Sequence, residues 1–187
     1  DGEILMSLGE LATEKLYSLT DNGHLTAESS YQIKNNAYSF GCTFVEVEVD
    51  IPGCKAQVTD ILNVHDCGRL INPALAEAQV HGGMSMAIGY ALSEKMLYDE
   101  RTGKPLNNNL LDYKLSTFMD HPDLHAAFIE NYEPTSAYGT KALGEPPTCS
   151  PAPAIRNAIL QATGVALNEI PMRPHLLFEK FTEAGLL

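Results

Sequence analysis

Two consecutive strands joined by a tight turn restrict the fold of this chain more than any other feature. In "TFVEVEVDI" (residues 43–51), valines at 45, 47 and 49 alternate with acidic residues at 46, 48 and 50. Successive side chains of a strand point to opposite faces, so this alternation predicts a strand with one buried and one solvated face. The turn "IPGC" then leads into a second strand, residues 56–64, which predicts a β-hairpin.

Helical patterns precede and follow this hairpin. Proline is favoured at the first position of a helix, and Asn or Ser at the position before it. A first helix is predicted from about Ile4 to Leu19. A long apolar helix is predicted from Pro73, with Asn72 before it. Two more are predicted from Pro151, after Ser150, to about Ala162, and from near Pro174.

Shorter strands are predicted at residues 95–98, at 124–133 and just before Pro174. The order is then helix, hairpin, helix, strands, helix, helix. It predicts an α+β fold in which helices pack in a second layer on a mixed or antiparallel sheet. The 187 residues are enough for one large domain or two small ones.

Charge and cysteine content limit the classes of partner and compartment. The chain has 24 acidic and 12 basic residues, a net charge of -12, and no basic stripe. Nucleic acids and anionic membrane surfaces require clustered Lys and Arg, so neither is expected as a partner. No apolar run has transmembrane length. Four separated cysteines without a Cys-x-x-Cys pair favour reduced thiols in a cytosolic protein.

Several common sites are disfavoured by the residues themselves. His65, Asp66, Cys67 and His81 carry metal-binding atoms, but no pair has zinc-motif spacing, and adjacent strand residues point to opposite faces. A turn stabilised by Asp66 is the preferred interpretation, and no metal ligand is assigned. The chain also lacks a G-x-S-x-G nucleophile motif and a Walker-type phosphate loop.

Two features leave a choice open. Glu145, in "GEPP", is held between a glycine and two prolines just before a helix, so it is either a helix-start carboxylate or a group that does chemistry. Gly82 and Gly83 lie inside the long helix, where each costs about 1 kcal/mol relative to alanine. Close packing of the helix explains them, and so does the approach of a large ligand to the backbone. The residues alone favour a helix-start carboxylate for Glu145 and close helix packing for the two glycines.

The chain resembles the C-terminal part of the molybdenum-binding subunit of the xanthine dehydrogenase family. The resemblance covers essentially all 187 residues as one cofactor-binding domain, a fragment of a longer subunit. It rests on segments that occur in the expected order: "FGCTFVEVEVDI", "ILNVHDCGRLINP", "NPALAEAQVHGG", "NLLDYKL", "KALGEPP" with "AIRNAI", and "ATGVALNEIPMRP".

The resemblance implies roles for individual residues. Glu145 corresponds to the general base beside the molybdenum, which removes a proton from the hydroxyl group whose oxygen is transferred to the substrate. Gln79 corresponds to a glutamine that hydrogen-bonds the pterin of the molybdopterin-type cofactor, and Gly82 and Gly83 would let the helix backbone approach that ligand. Lys141 would contribute a positive charge near the substrate.

The resemblance also implies an activity and partners. It implies hydroxylation of purines with oxygen from water, with electrons leaving through iron–sulfur clusters and FAD on partner subunits to NAD in the cytoplasm. The substrate-orienting residues of the family lie upstream, in the rest of the subunit. The isolated chain is therefore expected to be inactive on purines, and to expose an apolar face through which it self-associates. Hydroxylases of aldehydes or other N-heterocycles, and a non-catalytic interaction domain, are the alternatives.

Overall fold

The computed structural model describes residues 5–18, 26–32 and 35–187, and the chain divides into two compact units, residues 1–32 and 33–187. The first unit contains helix α1 (Leu8–Tyr17). Ser7 caps it: the Ser7 hydroxyl accepts from Glu10 N at 3.2 Å, and the Glu10 carboxylate accepts from Ser7 N at 2.8 Å. The predicted first helix is thus confirmed, although its expected ends, Ile4 and Leu19, lie outside the described residues.

The second unit is built on the predicted hairpin. Strand β1 (Phe40–Asp50) and strand β2 (Lys55–Asp66) pair antiparallel across the turn at residues 51–54. The odd-numbered residues of β1 from 43 to 49 are half-buried and the even-numbered ones are exposed, as the alternation of valine and acid predicts.

A third strand makes the sheet mixed. Strand β3 (Leu124–Phe128) pairs parallel with β2, so the order in the sheet is β1-β2-β3. It is shorter than the predicted strand at 124–133. The predicted α+β class with a mixed sheet is confirmed.

The two other short strands predicted from sequence are wrong. In the first, only Tyr98 bridges a partner, Pro105, across a turn. In the second, the carbonyl of Leu167 accepts a hydrogen bond of 2.7 Å from Arg156 Nε instead of pairing with a neighbouring strand. Because Leu167 is also buried, its apolar character reflects packing of a loop against the adjacent helix.

Four helices follow the hairpin, and each begins at a proline: α2 (Pro73–Leu92), α3 (Pro146–Cys149), α4 (Pro151–Thr163) and α5 (Pro174–Glu183). The predicted cap of α2 is confirmed, since Asn72 Oδ1 accepts from Leu75 N at 3.1 Å. Ser150 and Pro151 occupy the predicted positions at the start of α4, but the side chain of Ser150 does not cap the helix. Ser150 keeps a helical backbone after α3, makes no capping bond, and directs its hydroxyl to Thr43 Oγ1 at 2.6 Å.

The core lies between the sheet and these helices. Apolar side chains of the inner face of β2 and of three helices are buried together: Val58, Ile61, Val80, Met84, Ile88, Ile155, Ile159, Leu177 and Phe181. The valines of β1 pack against the same cluster. One amphipathic sheet face covered by helices is the expected two-layer arrangement.

Membrane-spanning character and the state of the cysteines can be examined in the structure. Within the described part of the chain, no helix combines the length and the apolar character needed to cross a membrane. All four cysteines are free thiols, with Cys54 and Cys67 buried and Cys42 and Cys149 exposed.

Helix α2 contacts the short helix α3 at a glycine. A Cβ built on Gly83 would lie 2.6 Å from Cβ of Pro147, closer than side chains approach one another. The neighbouring Gly82 is exposed, and a Cβ there would meet nothing within 4 Å. The close-packing alternative therefore accounts for Gly83, and no contact within the described chain accounts for Gly82.

This difference gives opposite expectations for two matched substitutions. Gly83→Ala should lower the free energy of unfolding by about 1–3 kcal/mol, because the new methyl group overlaps Pro147 in a packed contact. Gly82→Ala should raise it by up to about 1 kcal/mol, because alanine favours the helix and meets open space. Urea denaturation of the two variants measures both. Equal effects of the two substitutions would contradict the contact between α2 and α3.

A buried ion pair closes the end of β2. Lys141 Nζ lies 2.8 Å from Asp66 Oδ2, and the two side chains are 4% and 13% exposed. Asp66 Oδ1 also accepts from Gly68 N at 3.0 Å. Burial alone would raise the pKa of Asp66, but the hydrogen bonds from Lys141, Gly68 and Asn131 outweigh it and hold that pKa below its usual range.

The ion pair predicts a pH-dependent contribution to stability. Because the pKa of Asp66 is lower in the folded state, its contribution is complete above the unfolded value of about 3.9 and is lost as pH falls through the lower folded value. Asp66→Asn should cost about 3 kcal/mol at neutral pH, where it leaves a buried ammonium unpaired. Urea denaturation should show the gap to wild type shrinking below about pH 4. The exposed Asp123→Asn serves as the control, and a gap independent of pH would contradict the assignment.

Candidate functional site

Glu145 occupies the position before α3, yet its side chain does not cap that helix. Its backbone carbonyl instead accepts from Thr148, from the amide nitrogen at 2.9 Å and from the hydroxyl at 2.8 Å. The carboxylate is exposed and has no hydrogen-bond or ion-pair partner among the described residues. The helix-cap alternative is thus excluded, and the group is held by its backbone while its oxygens remain available.

The side chain of Gln79 bonds the backbone of the residue before Glu145, although 65 positions separate Gln79 from Gly144. From α2 its side-chain Nε2 donates to the carbonyl of Gly144 at 2.5 Å. A carbonyl only accepts, so the amide nitrogen is committed to Gly144 and the amide oxygen stays free to accept from another group. The fold therefore brings together two of the residues singled out in the sequence.

A cavity of about 360 Å³ opens next to Glu145. It lies between the start of β1 and helix α3, and its lining residues are Ser39, Gly41, Glu145, Pro146, Cys149 and Ser150. Gly41 packs against the ring of His65, since a Cβ at Gly41 would lie 2.5 Å from His65 Cε1. Burial lowers the pKa of His65, so the imidazole behind Gly41 is neutral at neutral pH.

Gly82 faces a different, larger opening. This cleft has a volume of about 900 Å³ and is bordered by His81, Gly82, Ser85 and the loop that carries Phe118 and His121. The backbone of α2 is therefore open to a ligand at Gly82 but closed by Pro147 at Gly83. The two glycines, grouped in the sequence, have separate surroundings in the structure.

The other polar residues considered in the sequence have structural partners or lie apart. Lys141 forms an ion pair with Asp66, so its ammonium group is paired within the protein and not with a substrate. Cys67 is buried, and desolvation raises its thiol pKa. Across residues 5–18, 26–32 and 35–187, no three His, Cys, Asp or Glu side chains are grouped so as to hold a metal ion.

Two further residues bond this region, and the sequence analysis did not single them out. Asn63 is fully buried and donates from Nδ2 to the carbonyl of Pro147 at 3.1 Å, and the hydroxyl of Tyr90 donates to the carbonyl of Thr148 at 2.6 Å. One signal was present for Asn63. It lies two residues after Ile61 on the buried face of β2, where a polar side chain requires a hydrogen-bond partner.

Comparisons with known proteins point to one family. Residues 2–122 match the family model described as a molybdopterin cofactor-binding domain. The xanthine dehydrogenase molybdenum-binding subunit of Escherichia coli O157:H7 is 54% identical over 99% of this chain and 25% of its own length. The aldehyde oxidoreductase molybdenum-binding subunit PaoC of E. coli K12 is 32% identical over 90% of this chain and 24% of its own.

A solved structure has the same fold. The Cu,Mo-CO dehydrogenase in its carbon monoxide reduced state superimposes with a TM-score of 0.83 at 27% identity, covering 97% of this chain and 23% of that one. The chain thus spans about a quarter of the length of the relatives that it matches. From the family model and these relatives, the chain belongs to the family of molybdopterin cofactor-binding domains of molybdenum oxidoreductases.

Proposed function

We propose that this chain supplies the general base of a xanthine dehydrogenase-type molybdenum hydroxylase, and that Glu145 is that base. The observation that carries the proposal is the hydrogen bond from Gln79 to Gly144 O, which joins the expected cofactor-binding residue to the backbone beside the expected base. It leaves both the amide oxygen of Gln79 and the carboxylate of Glu145 free.

The residues fit a molybdopterin-type cofactor. The exposed carboxylate of Glu145 borders a cavity, the amide of Gln79 bonds the carbonyl of the preceding residue, and Gly82 opens the helix backbone to a second cleft. When bound, this cofactor supplies two-electron oxidation and oxygen transfer. In the proposal, Gln79 binds it through the amide oxygen and Gly82 through close approach of the backbone, while Gly83 acts indirectly by letting α2 contact Pro147.

Glu145 acts by holding its carboxylate in place and accepting a proton there. Two prolines follow it, and two hydrogen bonds from Thr148 hold its carbonyl, so the backbone at this position is stiff. A general base has to lie within about 3 Å of the proton that it removes. A rigid backbone with an unpaired carboxylate suits this role, because no ion pair has to break before the proton is accepted.

The substrate and partners of the complete protein extend this proposal. We infer hydroxylation of purines, hypoxanthine and xanthine to urate, with electrons passing through iron–sulfur clusters and FAD on partner subunits to NAD in the cytoplasm. The similarity to the xanthine dehydrogenase subunit supports this inference. The rest of the molybdenum subunit is the first partner, and exposed side chains such as Phe40, Phe44 and Phe118 offer it apolar contacts, or a second copy of the isolated chain.

A second candidate substrate class is an aldehyde, because the PaoC subunit named for aldehyde oxidation is 32% identical. Turnover of xanthine, hypoxanthine and a simple aldehyde by the complete multi-subunit enzyme separates the two. The purine proposal expects a higher kcat/KM for the two purines. A preference for the aldehyde would replace the purine assignment and leave the role of Glu145 intact.

Substitution of Glu145 tests the central assignment. Glu145→Gln in the complete enzyme should reduce kcat about 10²–10⁴-fold, because an amide of similar shape cannot accept the proton. Molybdenum content should stay at the wild-type level, since the substituted carboxylate contacts no neighbouring group among the described residues.

The matched control is Glu169→Gln, which neutralises another exposed glutamate and should leave turnover unchanged. Full turnover by the Glu145→Gln enzyme with normal molybdenum content would show that Glu145 is not the base. Loss of molybdenum together with activity would instead identify Glu145 as a residue of cofactor retention.

A further inference from the structure

We propose that Asn63 and Tyr90 are positioning residues for Glu145, a role that rests on the proposed function of that carboxylate. Neither side chain contacts Glu145. Each donates a hydrogen bond to a backbone carbonyl within the four residues that follow it, and together they set where the base stands relative to the sheet and to α2.

The need for the donor from Asn63 follows from a proline. In an α-helix, each carbonyl accepts from the amide nitrogen four residues later. The carbonyl of Pro147 would take its donor from residue 151, which is Pro151 and has no N–H. Continuing the chain from α3 into α4 therefore leaves this carbonyl without its helical partner, and a donor has to come from another element.

Asn63 supplies that donor from the sheet. Its side chain is fully buried on β2, and Nδ2 lies 3.1 Å from the carbonyl oxygen of Pro147. Pro147 also packs against Gly83 of α2, so it is held by a hydrogen bond from one side and by van der Waals contact from the other. A buried carbonyl with one available donor fixes the position of its residue more firmly than packing alone.

Tyr90 supplies the second donor from α2. Its hydroxyl lies 2.6 Å from the carbonyl oxygen of Thr148, and Thr148 in turn donates twice to the carbonyl of Glu145, at 2.9 and 2.8 Å. Two successive links therefore connect the hydroxyl of Tyr90 to the backbone of the base. The carboxylate has no partner of its own among the described residues, so these links fix the backbone point from which it extends.

Positioning of this kind affects rate more than binding. A displacement of a catalytic group by about 1 Å costs up to about 10²-fold in rate, even when the substitution lies away from the chemistry. Loss of one link in the connection from Tyr90 to Glu145 should therefore lower kcat and leave KM close to the wild-type value.

Tyr90→Phe in the complete enzyme tests the proposal, because it removes one hydroxyl and keeps the ring. We expect kcat for xanthine to fall on the order of tenfold, with molybdenum content and KM unchanged. The matched control is Tyr113→Phe, which removes a hydroxyl that donates to Glu94 Oε2 at 2.7 Å and should have no effect on kcat. Wild-type kcat in the Tyr90→Phe enzyme would overturn the proposal.

A double variant separates positioning from general destabilisation. If Tyr90 acts through Glu145, Tyr90→Phe should cost nothing further in an enzyme that already carries Glu145→Gln. The same loss in both backgrounds would overturn the positioning role. A normal rate in the Glu145→Gln enzyme would overturn both the base assignment and this inference. A slow Glu145→Gln enzyme together with a normal Tyr90→Phe enzyme would overturn this inference alone.

A measurement independent of activity completes the test. Amide hydrogen exchange across residues 144–150 should become faster in Tyr90→Phe than in Tyr113→Phe, because the hydrogen bond that restrains Thr148 is lost. Asn63→Leu should have the same effects on exchange and on kcat. If that buried substitution prevents folding, Tyr90→Phe alone decides, and unchanged exchange in Tyr90→Phe would overturn the proposal.

Discussion

The supply of hydrogen-bond donors to a proline-rich segment is the constraint on which the region around Glu145 depends. Prolines at 146, 147, 151 and 153 stiffen the chain but remove four backbone N–H groups from it. The carbonyl of Pro147 thereby loses its helical donor, because residue 151 is a proline, and three carbonyls of the segment accept hydrogen bonds from side chains of other elements. Gln79 donates to the carbonyl of Gly144, Asn63 to that of Pro147, and Tyr90 to that of Thr148.

This arrangement explains how a short segment keeps a defined conformation while the side chain it carries stays free. Helix α3 has only four residues and could not be stable by itself. Its stability comes from contacts with β2 and α2, which touch the carbonyl oxygens and the ring of Pro147. None of these contacts uses the carboxylate of Glu145. Rigidity of the backbone and availability of the functional group are thus provided by different atoms.

Local features of the fold could be predicted from the sequence, and features that depend on distant contacts could not. The hairpin and the start of α2 follow from alternation and from the Asn72–Pro73 pair, which act within a few residues. Ser150 lies before α4 as predicted, but α3 leads directly into α4. Ser150 therefore has a helical backbone, and its hydroxyl bonds Thr43 on β1 instead of capping α4. The parallel pairing of β3 with β2 joins segments about 60 residues apart, which no local pattern specifies. For Glu145, residue types left the cap alternative open, and only the observed bonds of Thr148 removed it.

Helix α2 contributes three of the contacts to this segment, from Gln79, Gly83 and Tyr90. These positions are four and seven residues apart, and at about 100° per residue they share one face of the helix. A single inserted or deleted residue between Gln79 and Gly83 would rotate one contact by about 100° away from the others. The length of this part of α2 is therefore under a stricter constraint than its composition. Related chains can vary the residues between these positions, but they cannot change their number without separating the base from its supports.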